Sequence, residues 1–333
     1  MGTDPMRVLI LGVTGMLGHK IYQRLALEHD VIGTIRGHYR DVERYGLFQK
    51  GTVVPEVDAL KLFLIEEVIQ GINPDVLINC IGIVKQVSEA QDRFLSIQVN
   101  SLFPHQLGRI CDRMGIRLIH ISTDCVFSGR KGNYREDDPS DAEDDYGKTK
   151  YLGEVKGSGA LTIRTSIIGR ELATANGLVE WLISKEGGKV NGFTNAIFSG
   201  FPTLHFAGIV ADIIANHRGL SGIYHISSEP ISKLQLLNLV RENMGLDLKI
   251  EEHSEFVCNR SLDSIRYRSR TGFKPLSWER MIEEFSEDAC QYQQWRCRIN
   301  GTKLDLSPTP ASVRLKAAAK VLRNTNSGEC DDF

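Results

Sequence analysis

The feature that most restricts how this chain can fold is an alternation of short apolar runs with helical stretches through its first half. Residues 7–11, RVLIL, read as a buried strand, and beyond them Leu17, Ile21, Leu25 and Ala26 recur at helical spacing. DVIGTI (30–35) is a second strand, TVV (52–54) a brief third, and an amphipathic helix follows in DALKLFLIEEVIQG. PDVLINCIG (74–82) is a fourth strand ending in small residues, and a helical stretch from about Glu89 to Met114 leads to a fifth, IRLIHIS (116–122). Strands separated by helices of that length form a parallel sheet covered on both faces. Right-handed crossovers then predict an α/β protein with a doubly wound, Rossmann-type sheet, assigned here to residues 6–165. Past residue 160 the pattern changes. LTIRTSIIG (161–169) is a sixth strand, after which loops and short helices predict a smaller C-terminal α/β lobe over 166–298, with the chain crossing between lobes. Residues 278–298, with Trp278 and Trp295, read as a closing helix, and 299–333 as a loosely held tail.

Gly12, Gly15 and Gly18 stand between the first strand and the first helix. In that position the first glycine permits a tight turn, the second lets a pyrophosphate approach the backbone, and the third lets helix pack on strand. The helix N-terminus adds free amides and a positive dipole end. The turn, including Thr14, Met16 and Leu17, is therefore expected to bind a dinucleotide. A NAD site places Asp or Glu about 20 residues further on, at the end of the second strand. Here that place reads Gly33-Thr34-Ile35-Arg36 with no carboxylate. An arginine there pairs with a 2′-phosphate, which favours NADPH and leaves NADH open; Arg40 is placed to assist. Asp58 is expected to cap the helix after the third strand, to reach the adenine amino group, or both.

Composition removes other classes. A net charge of −2 lacks the basic excess of a nucleic-acid binder. No apolar run reaches the ~20 residues that span a bilayer, and no signal peptide opens the chain, so no membrane partner is expected. Seven cysteines, odd in number and scattered, suit reduced thiols in a cytoplasm better than disulfides or zinc.

The glycine turn, NCIG (79–82), STDCVFSG (122–129) and YGKTKYLGE (146–154) together resemble the extended short-chain dehydrogenase/reductases, and within them the dTDP-4-dehydrorhamnose reductases, over about residues 6–295. The resemblance implies a catalytic set of Thr123, Tyr146 and Lys150, and places Cys80, Ile81 and Gly82 beside the cofactor. The chemistry needs those residue types: a ketone takes hydride from a nicotinamide and a proton from an acid. A phenol of pKa ~10 serves better when a cation one helical turn away stabilises the phenolate. Asn100 matches a recurrent family asparagine, a satisfied core amide being the other reading. The second lobe then holds a nucleotide sugar, with Asp124, Cys125, Ile167 and Arg260 as contacts, Arg260 for the diphosphate. FSGFPTLHFAGIVADII (198–214) resembles the segment that runs from pocket lining into a helix. Cys125 and Ile167 replace a tyrosine and a tryptophan of typical rhamnose enzymes, which implies a differently shaped sugar. His19 and Lys20 stand where some relatives carry magnesium-binding glutamates, so no metal is expected. The implied activity is NADPH-dependent reduction of a nucleotide-linked 4-keto-6-deoxy sugar, by a chain whose one expected macromolecular partner is a second copy in a homodimer. Two alternatives stand beside it. One is a regulatory, dinucleotide-binding role like that of the methionine adenosyltransferase beta subunit. The other is an epimerase using Cys125, which the absence of histidine in 170–200 opposes.

Overall fold

The structure, a computed structural model, describes residues 4–157 and 159–297. The expected tail at 299–333 lies outside the described residues. Strands β1 (Arg7–Leu11), β2 (Asp30–Thr34), β3 (Val53–Val54), β4 (Val76–Asn79), β5 (Arg117–Thr123) and β6 (Ala160–Thr165) come from the first half. The second half adds β7 (Ile167–Ile168), β8 (Lys189–Phe198), β9 (Phe201–Pro202), β10 (Gly222–His225), β11 (Ile231–Ser232) and β12 (Lys249–Asn259). The main sheet runs β10-β6-β5-β4-β1-β2-β3 with every pairing parallel. Its outermost strand, β10, is returned from the second half, which is where the chain crosses between lobes.

Side chains alternate across a strand, so each central strand feeds two cores. Val8 and Ile10 of β1 enter one apolar cluster, and Leu9 and Leu11 enter the other on the opposite face. That is why RVLIL reads as a continuous apolar run. The strand order reverses between β1 and β4, and the carboxyl ends of the strands there open the crevice in which doubly wound sheets bind ligands.

Three expectations shift in detail. The helical stretch before β5 divides into a 3₁₀ turn (Ser88–Gln91), a helix (Arg93–Ser96), a π-helical segment (Ile97–Leu102) and a longer helix (Phe103–Met114). The sixth strand ends at Thr165, because Ser166 O accepts the Phe201 N–H (2.9 Å) and Ile167–Ile168 leaves to pair with Phe201–Pro202. The helix after β3 begins at Leu62 with no side-chain cap, so Asp58 does not cap it; its Oδ1 accepts the Leu60 N–H (2.9 Å) and closes a turn instead.

The small lobe is a three-stranded sheet, β11-β8-β12, against which the helix Lys233–Met244 packs. The closing helix, Trp278–Cys297, reaches back to the first helix, Gly18–Leu25. There Tyr292 hydrogen-bonds the buried His19 ring, and Asp288 pairs with the buried Lys20 at 2.7 Å. Among the described residues no helix is long and apolar enough to cross a membrane.

Candidate active site

The glycine turn is held from β2: the Gly12 N–H donates to Thr34 Oγ1 (3.2 Å) and the Val13 N–H to Thr34 O (3.1 Å). Gly12 has φ +81°, a region that side chains resist. A Cβ on Gly18 would lie 2.2 Å from Gly12 O, so this helix can start against this strand only from a glycine. Thr14 and Gly15 are exposed, Met16 is half-buried and Leu17 is buried. No side chain caps the helix that follows, and its His19 and Lys20 N–H groups bond Gly15 O (3.3 Å) and Leu17 O (3.1 Å). Arg36 is exposed immediately past β2, and Arg40 stands 3.9 Å from Asp41. A tight glycine turn with an exposed guanidinium just past the strand end fits a dinucleotide bearing a 2′-phosphate. Across the crevice, Ile81 closes against the turn and its N–H donates to Asn79 Oδ1 (3.0 Å). The Cys80 N–H binds Leu11 O (3.1 Å), and burial pushes its thiol up to about 12 despite nearby Lys150.

Tyr146 and Lys150 lie one turn apart on the helix Asp145–Leu152, which Asp144 caps by accepting the Gly147 N–H (2.7 Å). The helix is wedged into place by two glycines. A Cβ on Gly147 would lie 2.1 Å from Cys125 O, and one on Gly153 would lie 1.9 Å from Asn100 O. The Ser101 hydroxyl donates to Thr149 O (2.8 Å), so the π-helical segment grips this helix along its length. Asn100, in that same segment, accepts the Ile83 N–H and donates to Ile83 O, both at 2.9 Å, and donates to Thr149 Oγ1 (3.3 Å). It is a fully engaged amide that fixes the loop after β4; Gly82, in that loop, passes close to Lys150 Nζ and Asn100 Oδ1.

Both side chains reach β5. Thr123, the last residue of β5, lies beside the Tyr146 phenol; its hydroxyl donates to Asp124 Oδ1 (3.2 Å) and accepts the Cys125 N–H (3.1 Å). Lys150 Nζ donates to Ile121 O (2.7 Å) of the same strand. Burial raises the phenol pKa, and neighbouring Cys125 adds to that. Burial also lowers the lysine to about 8, against the opposing pull of Glu154 and Cys80. A neutral acid beside a hydroxyl, with an ammonium one turn along the helix, is an arrangement able to protonate an oxyanion.

Asp124 and Cys125 follow in a 3₁₀ turn. Burial drives the Asp124 carboxyl up, with Arg260 pulling the other way, and burial followed by Asp124 drives the Cys125 thiol up to about 12. Arg260 is anchored by its Nε to Phe127 O (2.8 Å). Ile167, in β7, is half-buried against the main apolar cluster. Sequence reasoning passed over Lys233. Its ammonium lies 5.7 Å from the Phe198 ring centroid and interacts electrostatically with Asp124, Cys125, Lys85 and Cys258. Burial depresses its pKa. Ser232 and Gln235 form a capping box that marks this helix start in the sequence. Nothing local, however, says that its first residue faces Asp124. A cleft of about 410 Å³, lined by Thr194, Ile197, Ile231 and Leu234 among others, opens beside it.

The chain is similar to several known proteins. Over 240 residues the chain is 28% identical to the probable dTDP-4,6-dihydroxy-2-methyloxan-3-one 4-ketoreductase of Streptomyces antibioticus, covering 67% of this chain and 72% of that one. It is 29% identical over 168 residues to the methionine adenosyltransferase 2 subunit beta of Xenopus tropicalis, covering 49% of this chain and 47% of that protein. The crystal structure of dTDP-4-dehydrorhamnose reductase from Bacillus anthracis str. Ames in complex with NADP superimposes with a TM-score of 0.70 at 21% identity, over 85% of this chain and 99% of that one. The RmlD substrate binding domain family matches residues 6–290, and the chain belongs to that family.

Proposed function

We propose that this protein is an NADPH-dependent reductase of a nucleotide-linked 4-keto-6-deoxy sugar, serving the synthesis of a deoxysugar or surface polysaccharide. The observation that carries the reading is the placement of Tyr146 and Lys150 one helical turn apart against β5, the phenol beside Thr123 and the ammonium bonded to Ile121 O. A bound nicotinamide supplies the hydride. Tyr146, a neutral phenol at physiological pH, donates its proton to the oxyanion that develops on the sugar. Thr123 holds the carbonyl oxygen beside it, and the Lys150 ammonium stabilises the phenolate left behind. Arg260 and Lys233 bind the diphosphate, since desolvated cations suit phosphate oxygens, with the nucleoside in the cleft beside Lys233. The similarity to a probable 4-ketoreductase supports the reaction, and the NADP complex of a structural neighbour supports the cofactor.

Similarity to the methionine adenosyltransferase beta subunit keeps one other reading in view, a regulatory partner that retains the dinucleotide site. An epimerase is disfavoured, because Cys125 is held as a neutral thiol and residues 170–200 offer no histidine to work with it. The test is NADPH oxidation followed with a panel of keto-sugar nucleotides. Tyr146→Phe should lower kcat by about 10²–10⁴-fold while NADPH affinity stays within about twofold. Unchanged turnover in that variant refutes the assignment. No turnover by the parent protein on any member of the panel, with a stable enzyme partner recovered, selects the regulatory reading.

A further inference from the structure

His19 is the second residue of the first helix, and its ring is buried with both nitrogens engaged. Nδ1 faces Gly15 O at 2.8 Å, and Nε2 faces the hydroxyl of Tyr292 on the closing helix. A carbonyl oxygen only accepts, so Nδ1 carries the proton and donates it to Gly15 O. In the neutral ring Nε2 then accepts from the Tyr292 hydroxyl. Burial holds the imidazole at about 3, so the ring is neutral. Tyr292 is itself held on two sides. Its ring meets the imidazole edge-on at 5.5 Å between centroids, and the Arg170 guanidinium lies 5.5 Å from its centroid. Arg170 is locked in turn to Glu180 by a buried ion pair at 2.6 Å.

The carbonyl held by His19 belongs to the glycine at which a pyrophosphate approaches the backbone. Gly15 O also accepts the His19 N–H (3.3 Å), and the Gly15 N–H donates to Gly12 O (3.2 Å). The peptide that joins Gly15 to Met16 is trans, so its C=O and N–H point in opposite directions. With Gly15 O directed at the ring, the Met16 N–H points away from it. Among the described residues no group accepts that N–H. A peptide turned the other way would present a carbonyl oxygen to an anion. We propose that His19 and Tyr292 are positioning residues for dinucleotide binding: the Tyr292 hydroxyl holds the ring, the ring holds Gly15 O inward, and the Met16 amide is left to the pyrophosphate. The closing helix thus serves the dinucleotide site from the far end of the chain. The inference rests on the dinucleotide part of the proposed function and not on the sugar.

Long-range ¹H–¹⁵N NMR of protein labelled with ¹⁵N-histidine reads the tautomer, with the His19 signals identified by their loss in His19→Asn. The parent is expected to hold the neutral Nδ1–H form. NADPH and adenosine 2′-phosphate, which lacks the pyrophosphate, are then titrated against each variant. His19→Leu keeps the bulk and removes both ring contacts; it should weaken NADPH by about 10-fold or more and leave adenosine 2′-phosphate within about twofold. His19→Asn, whose amide can donate from the Nδ1 position, should recover most of that loss. Tyr292→Phe should weaken NADPH by about 2- to 10-fold. The double variant His19→Leu/Tyr292→Phe removes both partners and so leaves neither as a buried orphan; should His19→Leu not fold, the double variant decides. Equal losses for the two ligands would show a merely structural contact and overturn the proposal. An Nε2–H ring in the parent, or parental NADPH affinity in the double variant, would overturn it as well. A parent that binds no dinucleotide defeats this inference and the proposed function together, whereas one that binds NADPH and reduces no keto-sugar nucleotide defeats the proposed function alone.

Discussion

The proposed preference for NADPH turns on one side chain, Arg36. It is exposed at the end of β2, where neither Gly33, Thr34 nor Ile35 offers a carboxylate to the ribose hydroxyls. A charge-assisted hydrogen bond contributes about 1.5–3 kcal/mol. Arg36→Ala should therefore weaken NADPH binding by about 10- to 100-fold and leave NADH within about twofold, as read by titration of cofactor fluorescence. Equal losses for both cofactors would remove Arg36 from the phosphate. The same scale explains why Lys233 escaped notice: a lysine after a serine cap reads as a solvated helix start. Only the approach of β5 and its following turn reveals Asp124 and Cys125 opposite it.

At the scale of elements, the site depends on how closely the helix Asp145–Leu152 approaches its neighbours. Gly147 lies against the Asp124–Val126 turn and Gly153 against the π-helical segment, both closer than any Cβ allows. A π-helical insertion offsets the helix face locally and is frequent at functional sites. Here it presents Asn100 to the loop after β4 and Ser101 to the helix Asp145–Leu152. Gly147→Ala must push the helix off Cys125 O. It is expected to cost about 1–3 kcal/mol in chemical unfolding and to lower kcat together with stability, because Tyr146 moves relative to Thr123. A variant of unchanged stability and activity would show that the turn yields instead.

For the whole molecule, the lobes are held by buried polar links as well as by apolar packing. Lys20 and Asp288 pair with side chains only 4% and 11% exposed, and the pair joins the helix Gly18–Leu25 to the closing helix. Removing one member of a buried pair costs about 3–5 kcal/mol. Asp288→Asn should lower the unfolding free energy toward that range, and NADPH should restore part of the lost thermal stability, since a ligand that binds the folded state stabilises it. A variant that melts like the parent would show the pair to be solvated. The sequence by itself determined the strand–helix alternation of the first half, the glycine turn and the one-turn spacing of Tyr146 and Lys150, because apolar periodicity, glycine spacing and a four-residue helical repeat are local properties. Only the tertiary structure decided that β10 completes the main sheet, that Asp58 closes a turn, that Lys233 faces Asp124 and that Tyr292 meets His19. Those outcomes rest on burial and charge pairing between segments far apart in the chain, which no short window of sequence contains.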